Sequence, residues 1–275
     1  MPVQIGSESI EVIDSHIHTF PDPIAPGAVG RLQKISGLIP QTDGTVSDTL
    51  RLMEEEGIDR ALLLNIATAP KQQKTINNCA KELADKMGER FIPFGSVHFE
   101  APDVLMELDR IKALGLKGIK LHPDYQGFLI NDERLFPIYE KCADLDLPIV
   151  FHSGFDCYSP ELIHAPPKAS REVVRRFPGL KIILAHFGGF RQWEDVEKYL
   201  IGENVYFDTA MCASNAPKGQ IERMIRSHPP DKILLGSDCP WENPALSVQF
   251  ILSMDLSDAQ KADIISGNVK RLLNI

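Results

Sequence analysis

Eight short apolar runs, separated by stretches of helical periodicity, limit what this 275-residue chain can fold into. The runs are 11–18 (EVIDSHIH), 60–67 (RALLLNIA), 90–98 (RFIPFGSVH), 116–123 (LKGIKLHP), 147–154 (LPIVFHSG), 180–189 (LKIILAHFGG), 204–210 (NVYFDTA) and 231–240 (DKILLGSDCP). Most carry about 4–8 apolar, often β-branched or aromatic residues bounded by Gly, Pro or Asp, as strands buried on both faces do. Between them, Val46, Leu50, Met53 and Gly57 mark one helical face, with Ser47 or Asp48 expected as the cap. Ile76, Ala80, Leu83 and Met87 mark a second face, and Val104, Leu108, Ile111 and Leu114 a third, which Gly115 is placed to end. Helices also fit 132–146, 167–177, 190–202, 216–227 and 244–253, with two short ones at 257–265 and 267–274.

Strict alternation of strand and helix implies parallel pairing through right-handed crossovers. Eight such units predict an α/β chain folded as a single (β/α)8 TIM barrel, residues 1–275 forming one domain, with the short C-terminal helices closing one end. An open doubly wound sheet is the alternative. A balance of 29 Lys and Arg against 38 Asp and Glu, net −9, supplies no basic stripe for a phosphate backbone, so no nucleic-acid partner is expected. No apolar run approaches a membrane span and no secretory signal is visible, so the reading is a cytoplasmic protein without a membrane partner. The five cysteines are widely and irregularly spaced with no CxxC pair, which reads as reduced thiols.

The histidines carry the functional signal. Six of the eight (His16, His18, His98, His122, His152 and His186) stand at the C-terminal end of a predicted strand, where barrels of this class build active sites. His16 and His18 are two apart on one strand, so both imidazoles face the same side, with Cα atoms about 6–7 Å apart, close enough to share one ion. Asp14 shares that face and is a candidate to orient a ligand. His152 and His186 follow apolar strands, and Asp238 is the acidic residue ending the eighth; each is a buried polar group that needs a partner. Read singly, each could be a satisfied structural residue. His164 and His228 lie outside the strand ends and read as solvent or loop residues.

The pieces DSHIHTFPD, GIKLHP, IVFHSG, LAHFGG and LLGSDCPW, spread in order over residues 14–241, resemble the amidohydrolase superfamily. The resemblance is nearest to its amidohydrolase-related branch of TIM-barrel metal-dependent hydrolases, which includes aminocarboxymuconate-semialdehyde decarboxylase. It implies one divalent metal ion, Zn²⁺ first, with Mn²⁺, Co²⁺ or Fe²⁺ as options, held by His16, His18, His152 and Asp238. It implies His186 as a catalytic acid/base or electrophile near the metal-bound water, and Asp238 as a ligand that also accepts a proton. Lys120 and His122 share a face of the fourth strand; some superfamily members carbamylate a lysine there to bridge two ions, but one ion is expected here.

Two chemistries fit such a site. The first is a metal-dependent hydrolase that attacks a small ester, lactone or amide-like substrate through a metal-activated water. The alternative is a non-oxidative decarboxylase of a small unsaturated or aromatic carboxylic acid, which needs a cation for a substrate carboxylate. Arg191 and Arg31 are candidates for that cation, and both also read as solvated arginines. A third reading is a barrel that keeps the ligands without catalysis. A phosphate-binding isomerase is disfavoured, because no Gly-rich loop follows the seventh or eighth strand.

His98 and Asn65 are candidate substrate contacts. The loops 19–45 and 153–167, the latter with Phe155, Tyr158 and His164, together with Trp193 and Trp241, are expected to wall a pocket for a small acidic or cyclic molecule. A homodimer is an option the resemblance raises, with no interface legible in the sequence.

Overall fold

The computed structural model describes residues 3–275. Each of the eight predicted runs contains a strand: β3 (Ile13–Ile17), β4 (Arg60–Leu64), β5 (Phe91–Phe94), β6 (Ile119–Leu121), β7 (Ile149–Phe151), β8 (Ile182–Leu184), β9 (Tyr206–Asp208) and β10 (Ile233–Leu234). Before them comes a hairpin, β1 (Val3–Ile5) and β2 (Glu8–Ile10), paired antiparallel with Ile5 opposite Glu8. Its turn uses Gly6 at φ +59°. The hairpin has only three residues per strand and mostly exposed or half-buried side chains, so it left no apolar run to find.

The chain divides into two compact units, one of residues up to Leu63 with Asp208–Ile275, the other Leu64–Phe207. In the first, β3 pairs parallel with β4, Ile13 opposite Arg60 and, after a register shift, Ile17 opposite Leu63. On its other side β3 takes the chain that follows β10. Ser15 N donates to Leu235 O at 2.7 Å, Asp238 N to His16 O at 2.8 Å and His18 N to Cys239 O at 2.7 Å. That segment in turn accepts from the chain leaving β9, Thr209 N to Leu234 O at 3.1 Å and Met211 N to Ser237 O at 3.3 Å. Three successive C-terminal strand ends thus carry His16 and His18, Asp238, and Asp208 side by side. Ile13, Ile17, Leu62 and Leu63 are buried beneath them.

In the second unit the order is β5, β6, β7, β8 and then Tyr206–Phe207, all parallel. Gly95 bridges Ile119, Ile119 faces Ile149, Ile149 faces Ile182 and Leu184 faces Phe207. A Cβ on Gly118 would come within 2.4 Å of the Phe94 ring, so close packing at that strand depends on the missing side chain. His98, His122, His152 and His186 follow β5, β6, β7 and β8 in turn.

The helices fall where the periodicity placed them, with local differences. Val46–Glu56 is capped by Thr45, whose side chain accepts from Asp48 N, rather than by Ser47 or Asp48. Thr45 has the extended backbone a cap needs, while Asp48 already lies in the first turn. Gly115, at φ +76°, follows Val104–Ala113 as expected. Within 19–45 the chain forms a helix, Ala25–Ser36, closed by Gly37 at φ +72°. Its proline content reads as loop, but Pro26 sits in the first turn, where a missing N–H costs nothing. All five cysteines are free. Among the described residues no helix is long and apolar enough to cross a membrane.

Candidate active-site residues

In the first unit, His16 Nε2 lies 3.1 Å from His18 Nε2 and 3.2 Å from Asp238 Oδ1, and His18 Nε2 lies 3.1 Å from the same oxygen. Donors about 2.0–2.2 Å from a common ion stand roughly 3–3.4 Å apart, so this triangle has the edge lengths of a ligand set. The two imidazoles are T-shaped, at 74°, which lets their in-plane lone pairs converge. Asp208, fully buried, accepts from His16 Nδ1 at 2.8 Å. That bond holds the proton on Nδ1 and leaves Nε2 as a bare donor toward the triangle. Backbone geometry aims the third member: Asp238 stands at φ +72°, its N–H bound to His16 O. The donor set fits a divalent cation.

Asp14 does not orient a histidine ring. Its carboxylate accepts from Ser237 Oγ at 2.5 Å, Ser237 N at 3.0 Å and His16 N at 3.0 Å, tying β3 to the chain that carries Asp238. Burial pushes its carboxyl up to about 7, against those hydrogen bonds. Orienting the ring falls instead to Asp208, which sequence reading missed. Its only signal was an acidic residue ending the otherwise apolar run NVYFDTA.

In the second unit His152, His122 and His186 form one cluster with two acids. His186 Nε2 and His152 Nδ1 are 3.0 Å apart, and the His122 and His152 rings stack at 4.3 Å and 8°. His122 Nε2 and His152 Nε2 each lie 3.5 Å from Asp156 Oδ2. Near-parallel, offset ring planes keep the in-plane lone pairs of His122 and His152 in separate planes, a poorer geometry for one ion than the T-shaped pair His16 and His18. Asp124 is a hub: its Oδ1 accepts from Ser159 Oγ at 2.5 Å and from His164 Nδ1 at 3.0 Å. Its Oδ2 faces His122 Nδ1 at 3.8 Å and His152 Nε2 at 3.9 Å. Burial raises the Asp124 carboxyl above the usual carboxylate range. His164 is therefore tied to a buried acid rather than left to solvent, and His228 is buried as well.

His186 stands at φ +59°, with its carbonyl accepting from Trp193 Nε1 at 3.1 Å. A non-glycine residue in this conformation costs about 1–3 kcal/mol and persists where its surroundings impose it. Lys120 is 1% exposed on β6, and His122 accepts from Tyr125 N at 3.4 Å while stacking on the Tyr125 ring at 3.7 Å. His98 stacks on Phe99, and burial holds its imidazole below the ordinary range. Trp241 is half-buried and donates its backbone N–H to Asp238 O at 2.8 Å. Arg191 stands at φ +58° with its guanidinium carbon 5.3 Å from the Phe155 ring centre and 5.2 Å from that of Phe190.

The family model described as Amidohydrolase matches residues 13–275, and the chain belongs to this amidohydrolase family of enzymes. Its relatives are more specific. The chain is 24% identical to a 2-keto-4-carboxy-3-hexenedioate hydratase of Sphingobium sp., over 82% of this chain and 81% of that one. It is 24% identical to a gamma-resorcylate decarboxylase of Polaromonas sp., over 82% and 86%, and 30% identical to a 2-amino-3-carboxymuconate-6-semialdehyde decarboxylase of Dictyostelium discoideum, over 42% and 37%. Among solved structures, a TIM-barrel protein of Bordetella bronchiseptica matches with a TM-score of 0.75 at 18% identity, over 96% of this chain and 99% of that one. A Polaromonas dihydroxybenzoic acid decarboxylase with bound manganese and the inhibitor 2-nitroresorcinol matches at 0.72 and 19%, over 96% and 97%. The fold class is thus α/β, the TIM-barrel amidohydrolase fold.

Proposed function

We propose that this protein is a metal-dependent non-oxidative decarboxylase of a small aromatic or unsaturated carboxylic acid. The triangle of His16 Nε2, His18 Nε2 and Asp238 Oδ1, backed by Asp208, is the observation that carries it. The metal dependence follows from that donor set, and the choice of reaction from the relatives, two of which are decarboxylases of unsaturated or aromatic acids. Hydrolysis, the first expectation from sequence, has no such support among them.

A divalent ion held here would polarise the substrate as a Lewis acid. Zn²⁺ suits imidazole and carboxylate donors, and Mn²⁺ is the ion in the Polaromonas structure. The family resemblance assigns His152 as a further ligand. His186 holds the proton that is delivered to the carbon bearing the carboxylate. A π pair of the unsaturated system takes that proton to form the C–H bond; the C–C bond to the carboxylate then breaks, CO₂ leaves, and its bonding pair restores the π system, leaving His186 without the proton. A single domain over residues 1–275, a small-molecule substrate and a cytoplasmic location complete the reading.

The test is a panel of 2,6-dihydroxybenzoate, 5-carboxyvanillate, muconate-type acids and simple lactones on metal-loaded protein, with CO₂ and new acid measured separately. CO₂ release from one or more acids is expected. Acid release from lactones without CO₂ overturns the reading in favour of a hydrolase. Addition of water to an enoate without CO₂ overturns it in favour of the hydratase chemistry of the Sphingobium relative.

A further inference from the structure

We propose that Arg191 is an anion anchor for a second carboxylate of the substrate, one that stays on the molecule when CO₂ leaves. This deepens the decarboxylase reading and rests on it. The side chain is placed by several independent features. Gly154, at φ +89°, lies so close to the 189–190 backbone that a Cβ there would meet Phe190 N at 2.1 Å. Phe190 N donates to Ser153 O at 2.8 Å and Phe155 N to Phe190 O at 3.0 Å. The loop after β7 is therefore stapled to the turn after β8, and Arg191 leaves that staple in a left-handed conformation. Its guanidinium then lies against both Phe155 and Phe190.

Aromatic contact positions a guanidinium while leaving its in-plane N–H donors able to take a carboxylate in bidentate fashion. Arg191 is exposed, and no carboxylate among the described residues pairs with it. The Phe190 ring that it touches also meets His186, edge to face at 5.7 Å between centres. The cation thus stands one aromatic ring away from the proposed proton donor. The departing carboxylate belongs at the reacting carbon, so a group held at Arg191 is a different anion. A substrate with two carboxylates fits that spacing better than a monoacid.

The test is calorimetric binding of isophthalate and benzoate, two- and one-carboxylate probes, to the full-length metal-loaded protein. Wild type is expected to bind isophthalate roughly tenfold more tightly. Arg191→Gln reduces that preference to within about twofold, while Arg191→Lys and Phe155→Leu leave part of it, with metal content unchanged in all three. Equal binding of the two probes by wild type, binding of neither, or a preference intact in Arg191→Gln overturns the proposal. Turnover is not measured here, so an absence of CO₂ release in the panel above stands as a separate failure, that of the decarboxylase reading.

Discussion

His16 donates its Nδ1 proton to the buried carboxylate of Asp208 across 2.8 Å, and this contact decides which nitrogen of His16 faces His18 and Asp238. Asp208→Asn can still accept through its amide oxygen, but it removes the charge that makes the imidazole a stronger donor. Metal affinity is expected to fall about 10–100-fold. Competition with a chelator, read by metal content at graded chelator concentrations, checks this. Unchanged affinity would remove Asp208 from the site.

Inductively coupled plasma mass spectrometry is expected to find about one divalent ion per chain in wild type. The ion should be lost in His16→Ala and in His18→Ala. Loss in His152→Ala as well would support the ligand role that the family resemblance assigns to it. Two ions per wild-type chain would point instead to Lys120 as a carbamylated bridge.

His186→Asn keeps a polar side chain but cannot cycle a proton near neutral pH. Its kcat is expected to drop about 10²–10⁴-fold with metal content intact. An equal fall in metal content would recast His186 as part of the ion's support.

Gly154→Ala places a methyl group against the Phe190 backbone and forces a left-handed conformation on a residue with a Cβ. Denaturant unfolding should show a loss of at least about 1–3 kcal/mol. Wild-type stability in this variant would mean that the staple between the two loops yields easily.

Glu242 is buried and accepts from Ser214 N at 3.0 Å and Ser247 Oγ at 3.2 Å, yet burial still raises its carboxyl above the ordinary value of 4.5. A raised native value means that the folded state holds the proton more tightly than the unfolded state. Its contribution therefore favours folding at low pH and is lost as pH rises through 4.5 toward the native value. Glu242→Gln should flatten that part of the stability–pH curve, and unfolding midpoints from pH 4 to 8 would show it. A curve of unchanged slope would rule this titration out.

Much of the architecture was legible in the chain. The eight apolar runs each contain a strand, because a strand buried on both faces is mostly apolar, with buried polar residues such as Asp14, His16 and Lys120 as exceptions. Five of the histidines (His18, His98, His122, His152 and His186) follow those strands, while His16 lies inside β3, where its buried ring is partnered by Asp208. The hairpin of residues 3–10 escaped notice because its strands bury little, and the helix Ala25–Ser36 because proline in a first helical turn looks the same in sequence as proline in a loop.

The sequence by itself determined the strand and helix alternation, the family and the HxH pair, since period-two geometry alone puts His16 and His18 on one side. Only the tertiary structure decided that Asp208 rather than Asp14 orients His16, that His164 belongs to Asp124, and that Arg191 lies against Phe155 and Phe190. Those pairings join residues from different strand ends and loops. They depend on strand register and left-handed turns that bring distant parts of the chain within hydrogen-bonding or stacking distance, and no local spacing encodes that.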